Sequence, residues 1–199
     1  MGKIKYLKEI NEFIDNNIVF NIRDVEAILI SRKANPNYAR LLLHNLEKKS
    51  EIKRIIKGFY TKYDDPTLIT YCIKPSYIGL EAALSFHGIW EQETNVVLLT
   101  PRRVRTGIRS IFNTNIVIHS INKKHFFGFN YVDYYDFKIP ISDIEKTFID
   151  WMYYNKPLTK DILNNFKKKI KKKKLISYLK NYDKKFANKV LSTLNSLCN

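Results

Sequence analysis

The stretch NPNYARLLLHNLEKKSEIKRIIKGFYTKY, residues 35–63, decides how the amino-terminal third of the chain is read. Asn35-Pro36 opens a helix, because proline is pre-set for a first helical turn and asparagine can cap it. That helix is expected from about Pro36 to Lys49. Within it Ala39, Leu42, Leu43 and Leu46 recur at three- and four-residue spacing and cluster on one side, the side that faces a core. Asn37, Arg40, Leu41, His44, Asn45 and Lys48 are left on outward or flanking faces, with Tyr38 in the first turn. Next, residues 52–56 and 59–63 form β-rich runs on either side of Lys57-Gly58, a pair able to supply the positive φ of a tight hairpin.

Upstream, Tyr6, Leu7, Ile10, Phe13 and Ile14 line one face of a first helix ending near Asn16 and Asn17. Asn21 is placed to cap a second helix, with Asp24 three residues on and Ile22, Val25, Ile28 and Leu29 as its buried stripe. The segment SRKANP breaks it. Three helices followed by a hairpin predict a winged helix-turn-helix over residues 1–64, closed by Asp64-Asp65-Pro66. Amide, guanidinium and imidazole groups near a helix N-terminus suit base edges and phosphates of a major groove. The candidates for DNA contact are therefore Asn37, Tyr38, Arg40, Leu41, His44 and Lys48 on the helix. Lys53, Arg54, Lys57 and Lys62 would line the wing and meet phosphate. Ordinary solvated surface is the other reading of the same residues.

Charge points the same way. The chain has 199 residues, 45% of them hydrophobic, which excludes intrinsic disorder for the whole, and a formal net charge of +16. The charge sits at the two ends: 13 Lys and Arg against 7 acids in residues 1–62, 9 against 10 in 63–155, and 13 against 2 in 156–199. A genome rich in A and T would raise lysine everywhere, but would not leave the middle neutral. A polyanionic partner is expected, nucleic acid before anionic membrane. No run approaches the roughly 18 apolar residues of a membrane span, and the start MGKIKYLKEINEF is charged where a signal peptide would be apolar. A cytoplasmic protein that does not enter the membrane is expected, with Cys72 and Cys198 as reduced thiols.

Residues 65–155 read as an α+β domain. A helix is expected to begin at Pro75-Ser76 and run through SYIGLEAALSFHGIW. Strand-like runs follow at 95–100, 110–112, 116–121, 126–129 and 134–139, with spacings typical of an antiparallel sheet. A last helix is expected to start at Pro140 and run to about Tyr154, with Ser142 as cap and Glu145 completing a capping box. Its Ile144, Phe148, Trp151 and Met152 should pack on the sheet.

Little in this domain suggests chemistry. His44, His87, His119 and His125 fall in different elements without metal-site spacing, and no nucleophile elbow, Walker loop or dinucleotide fingerprint is present. No metal and no cofactor are expected. His87 reads as a packed or capping residue. Asp136-Phe137-Lys138 matches half of a restriction-nuclease metal site and keeps a metal-dependent nuclease as an alternative. Arg102, Arg103, Arg105 and Arg109 crowd one loop, where they could hold phosphates or an acidic partner surface, or simply be solvated. An interaction protein that docks an acidic partner is thus the other alternative.

The tail, 156–199, is read as a lysine-rich helical C-terminal extension. From a Thr159 cap, Ile162, Leu163, Phe166, Ile170, Leu175 and Ile176 carry one apolar stripe, which Tyr178, Leu179, Tyr182, Phe186, Val190, Leu191 and Leu194 continue. A basic amphipathic helical pair follows, with Lys171, Lys172 and Lys173 as phosphate or partner contacts.

The order of these elements resembles the AbiEi family of type IV antitoxin and transcriptional regulator proteins. Ser76, Gly79, Ala83, Leu84, His87, Gly88 and Ile89 match one loose motif, and Ile141, Ser142, Glu145, Lys146 and Asp150 another, within about residues 5–155. The resemblance implies a winged helix that binds inverted repeats in double-stranded DNA at the promoter of its own operon. It also implies an α+β domain that counters a nucleotidyltransferase-like toxin without a stable complex, and no enzymatic activity. The run of seven lysines within residues 167–174 is not part of the shared pattern.

Overall fold

Apolar residues at helical spacing build α1 (Leu7–Asp15), which buries Ile10 and Ile14. The computed structural model describes residues 6–92 and 94–196; Cys198 lies outside them. After α1 comes a two-residue strand, β1 (Phe20–Asn21). Asn21 then caps α2 (Ile22–Ser31) as expected. Its side chain accepts from the Arg23 and Asp24 amides, and the Asp24 carboxylate accepts from the Asn21 amide at 2.7 Å.

The third helix, α3 (Tyr38–Lys48), starts two residues later than its proline suggested. Asn35 Oδ1 accepts from the Asn37 amide at 3.0 Å, so this asparagine fixes the turn that leads into the helix and does not cap the helix itself. Ala39, Leu42, Leu43 and Leu46 are buried to 1% exposure or less. Each buried leucine contributes about 1.5–3 kcal/mol of transfer free energy.

Strands β2 (Lys53–Ile56) and β3 (Phe59–Thr61) pair antiparallel across Lys57-Gly58, and Gly58 takes the required positive φ of 85°. β1 pairs with the other edge of β3, so the hairpin is part of a three-stranded sheet ordered β1-β3-β2. A short α4 (Ile69–Cys72) follows, with Cys72 buried. The chain divides into two compact units. The first reaches to Cys72, past the expected boundary at Asp64, and includes Ile111–Asn113; the second holds Ile73–Ser110 and continues from Thr114.

The second unit is built on six strands: β4 (Tyr77–Ile78), β5 (Val96–Thr100), β6 (Gly107–Ile111), β7 (Thr114–Ser120), β8 (Phe129–Tyr134) and β9 (Phe137–Ser142), in the order β6-β7-β5-β4-β9-β8. The sheet is mixed, which corrects the antiparallel expectation. β5 runs parallel to β7 and β4 parallel to β9, whereas β4 with β5 and β8 with β9 are antiparallel. All five residues of β5 are buried, as a strand covered on both faces requires.

Three local expectations also change. The helix expected from Ser76 is shorter, α5 (Leu80–Phe86), because Tyr77 and Ile78 pair in the sheet between β5 and β9. Gly79 makes that strand-to-helix corner possible, since a Cβ there would lie 2.6 Å from Leu99 Cδ1. Phe126 and Phe127 are not in a strand, while Asn130 to Asp133, expected as loop, form most of β8. The cap of α6 (Ile144–Tyr153) is Asp143, whose Oδ1 accepts from the Lys146 amide at 2.9 Å; Ser142 stays in β9.

The tail forms three helices where a pair was expected: α7 (Lys160–Lys169), α8 (Lys172–Leu179) and α9 (Lys184–Asn195). Thr159 caps α7 and Asp183 caps α9. Ile170 and Lys171 are extended between α7 and α8, and the Lys171 amide donates to Glu145 Oε1 at 2.7 Å. Leu163, Phe166, Leu175, Leu179, Val190 and Leu194 share one core with Tyr77, Leu99, Phe148 and Trp151. The tail is therefore a packed layer of the second unit, which corrects its reading as an extension. No helix among the described residues is long and apolar enough to cross a membrane.

Candidate nucleic-acid interface

The helical period that buries four apolar residues of α3 turns the others outward. Asn37, Arg40, Leu41, His44 and Lys48 are exposed, at offsets of three, four, seven and eleven residues from Asn37, so they form one continuous face. Leu41 is 52% exposed in the middle of it. Tyr38 and Asn45 are half-buried, and the Tyr38 ring packs against the core of this unit, which takes it off the outward face.

Ion pairs sort the cations expected to meet phosphate. Lys53 Nζ stands 2.5 Å from Asp64 Oδ2, Arg54 Nε 3.6 Å from Glu47 Oε1, and Lys62 is paired with Asp15. Arg40, Lys48 and Lys57 make no such pair among the described residues, and Lys57 is exposed at the hairpin turn. Of the cations expected to meet phosphate, those on the outward face of α3 and at the hairpin turn are thus the ones without an ion-pair partner among the described residues.

In the second unit, Arg102, Arg103 and Arg105 lie in the loop after β5, whereas Arg109, expected in that loop, stands in β6. Arg102 Nη1 donates to the Lys74 carbonyl at 3.2 Å and Arg109 Nη2 to the Arg105 carbonyl at 2.7 Å, while Arg103 and Arg105 are exposed. Lys171, Lys172 and Lys173 are exposed too, with Lys172 Nζ 3.1 Å from Asn195 Oδ1. Asp136 lies exposed in the turn between β8 and β9, and Lys138 Nζ sits 3.2 Å from Asp133 Oδ1 across that hairpin.

No family model matches the chain, and no curated protein does. Among similar solved structures is the crystal structure of RV2827C protein from Mycobacterium tuberculosis, with 11% identity and a TM-score of 0.62, covering 96% of this chain and 77% of that one. At that identity the likeness shows a shared fold.

Two polar arrangements in the second unit went unread in the sequence. Lys146 and Asp150, one turn apart on α6, are ion-paired and fully buried. Tyr77 Oη donates to Asp150 Oδ2 at 2.8 Å, and Lys146 Nζ lies 3.2 Å from Tyr182 Oη and 5.2 Å from the centre of the Phe127 ring. Burial holds Lys146 below the usual lysine range and Asp150 above the usual carboxylate range, and their mutual attraction offsets part of both. Two charged residues one helical turn apart in the otherwise largely apolar KTFIDWM, residues 146–152, were the available signal. The second arrangement joins Glu81 to Lys156 at 2.5 Å beside His119, whose ring lies 4.9 Å from that of Tyr154.

The remaining histidines are structural by their contacts. His87 follows α5, with Nε2 2.6 Å from the Ser142 carbonyl oxygen, and His125 is buried with its ring stacked 4.0 Å from that of Tyr182. Burial lowers the pKa of His87, His119 and His125 below the usual histidine value.

Proposed function

We propose that this protein is a winged-helix DNA-binding repressor of its own operon, in which α3 enters the major groove and the β2–β3 hairpin acts as a wing on the phosphate backbone. The observation that carries the reading is the outward face of α3. It presents an amide, a guanidinium, a leucine, an imidazole and an ammonium in one row, with Arg40 and Lys48 unpaired among the described residues. Such groups serve both base edges and phosphates. Repression follows from occupancy, since a protein seated on the promoter excludes polymerase.

The larger role rests on the AbiEi resemblance. In this reading the protein is the antitoxin of a type IV pair, works in the cytoplasm, performs no catalysis and needs no cofactor. The second unit would counter a nucleotidyltransferase-like toxin without a stable complex. Support comes from the packed α+β layer that holds both motif segments, with Gly79 at the β4–α5 corner and Lys146 and Asp150 in the core.

Fluorescence anisotropy with the duplex upstream of the gene tests the DNA reading. Binding tighter than to a scrambled duplex of equal length, and weakening as salt rises, is expected. Equal affinity for both duplexes at physiological salt overturns sequence-specific repression. The antitoxin role is tested by co-expression with a nucleotidyltransferase-like protein encoded beside it: restored growth supports the role, and unrelieved toxicity with both proteins present refutes it.

A further inference from the structure

Leu41 has no place in the core. The four core residues of α3 are at most 1% exposed, whereas Leu41 is 52% exposed and points from the opposite side of the helix. A lone surface leucine is ordinary. This one has particular neighbours: Asn37 one turn before it, Arg40 beside it, and His44 and Lys48 one and two turns after it, all exposed. The acid of the helix, Glu47, is half-buried and pairs with Arg54. The outward row is thus a single apolar point set among hydrogen-bond donors, with no carboxylate in it.

In the major groove one base edge has that complement. Thymine presents a 5-methyl group next to its O4 acceptor, with phosphate alongside, whereas cytosine offers an amino donor and no methyl. We infer that Leu41 packs on a thymine 5-methyl group and makes the protein select thymine at that step. The inference rests on the DNA-binding reading above and deepens it by naming the base that α3 reads through an apolar contact.

The test separates the two. The full chain selects duplexes from a random library, and the enriched duplex is resynthesised with each thymine replaced in turn by deoxyuridine, which keeps the base pair and removes only the methyl. Affinities are measured by anisotropy for the wild type and for Leu41→Ala, with circular dichroism to verify folding. At one position or more, deoxyuridine is expected to weaken the wild type about fourfold, the effect of one buried methyl-sized group. Leu41→Ala should be indifferent to the same replacement. A wild type indifferent to every replacement overturns the inference and leaves DNA binding standing. So does a loss that persists undiminished in Leu41→Ala. Failure to enrich any duplex overturns the DNA reading itself, and this inference with it.

Discussion

Lys53 Nζ and Asp64 Oδ2 stand 2.5 Å apart, so a wing lysine expected to meet phosphate already holds an anion. Both side chains are substantially exposed, and such pairs contribute about 0–1 kcal/mol to stability. The effect of the pairing should therefore appear in binding and not in folding. Asp64→Asn is expected to leave the melting temperature unchanged, to tighten binding to random duplex, and to steepen the dependence of log affinity on log salt by about 0.9, the value of one additional phosphate contact. Anisotropy titrations at several salt concentrations check this.

Arg40 and Lys57, unpaired among the described residues, have different expected roles. Arg40→Ala should cost about 1–3 kcal/mol on the preferred duplex and less on random duplex, as a base contact does. Lys57→Ala should weaken all duplexes alike and reduce the salt slope by about 1. Competition titrations with both duplexes measure the two patterns.

How much of this was legible beforehand depended on how local the signal was. The capping box at Asn21 and Asp24, the stripe of α3 and the Gly58 turn each lie within a few residues, and each stands where it was expected. Sheet pairing is not local. The runs that became β5 and β7 look the same whether they pair parallel or antiparallel, and only the uninterrupted apolar stretch VVLL hinted at a strand covered on both faces. The tail misled for a related reason. Its lysines dominate the sequence, but Phe166, Leu175 and Val190 decide where it lies, by filling one core with Tyr77 and Phe148. In the candidate interface the residue types were readable, whereas the carboxylates that occupy Lys53, Arg54 and Lys62 come from other elements and were not.

The buried pair Lys146 and Asp150 predicts a non-additive result. Asp150→Ala leaves an uncompensated buried ammonium and should cost about 3–5 kcal/mol, whereas Lys146→Met with Asp150→Leu should recover most of that loss. Urea unfolding of the two variants measures the difference.

Acid should destabilise the second unit. Burial lowers the pKa of His87, His119 and His125, so below the unfolded value, about 6.5, the unfolded chain binds protons that the folded chain does not. The stability they contribute is complete above that value and is lost as pH falls toward their lowered folded values. His125→Phe keeps the ring stacked on Tyr182 and removes a group whose two nitrogens make no well-formed hydrogen bond, so it should flatten the fall. Melting temperatures between neutral and mildly acidic pH show whether it does.

The most direct test is to titrate the isotope-labelled full chain with a short DNA duplex at low salt and follow backbone amide shifts by NMR. The largest changes are expected at Asn37, Arg40, Leu41, His44 and Lys48 and at the Lys57-Gly58 turn. Changes confined to the arginines at 102–109 or to the lysines at 167–174, with α3 unmoved, would contradict the proposal that α3 is the helix that reads DNA.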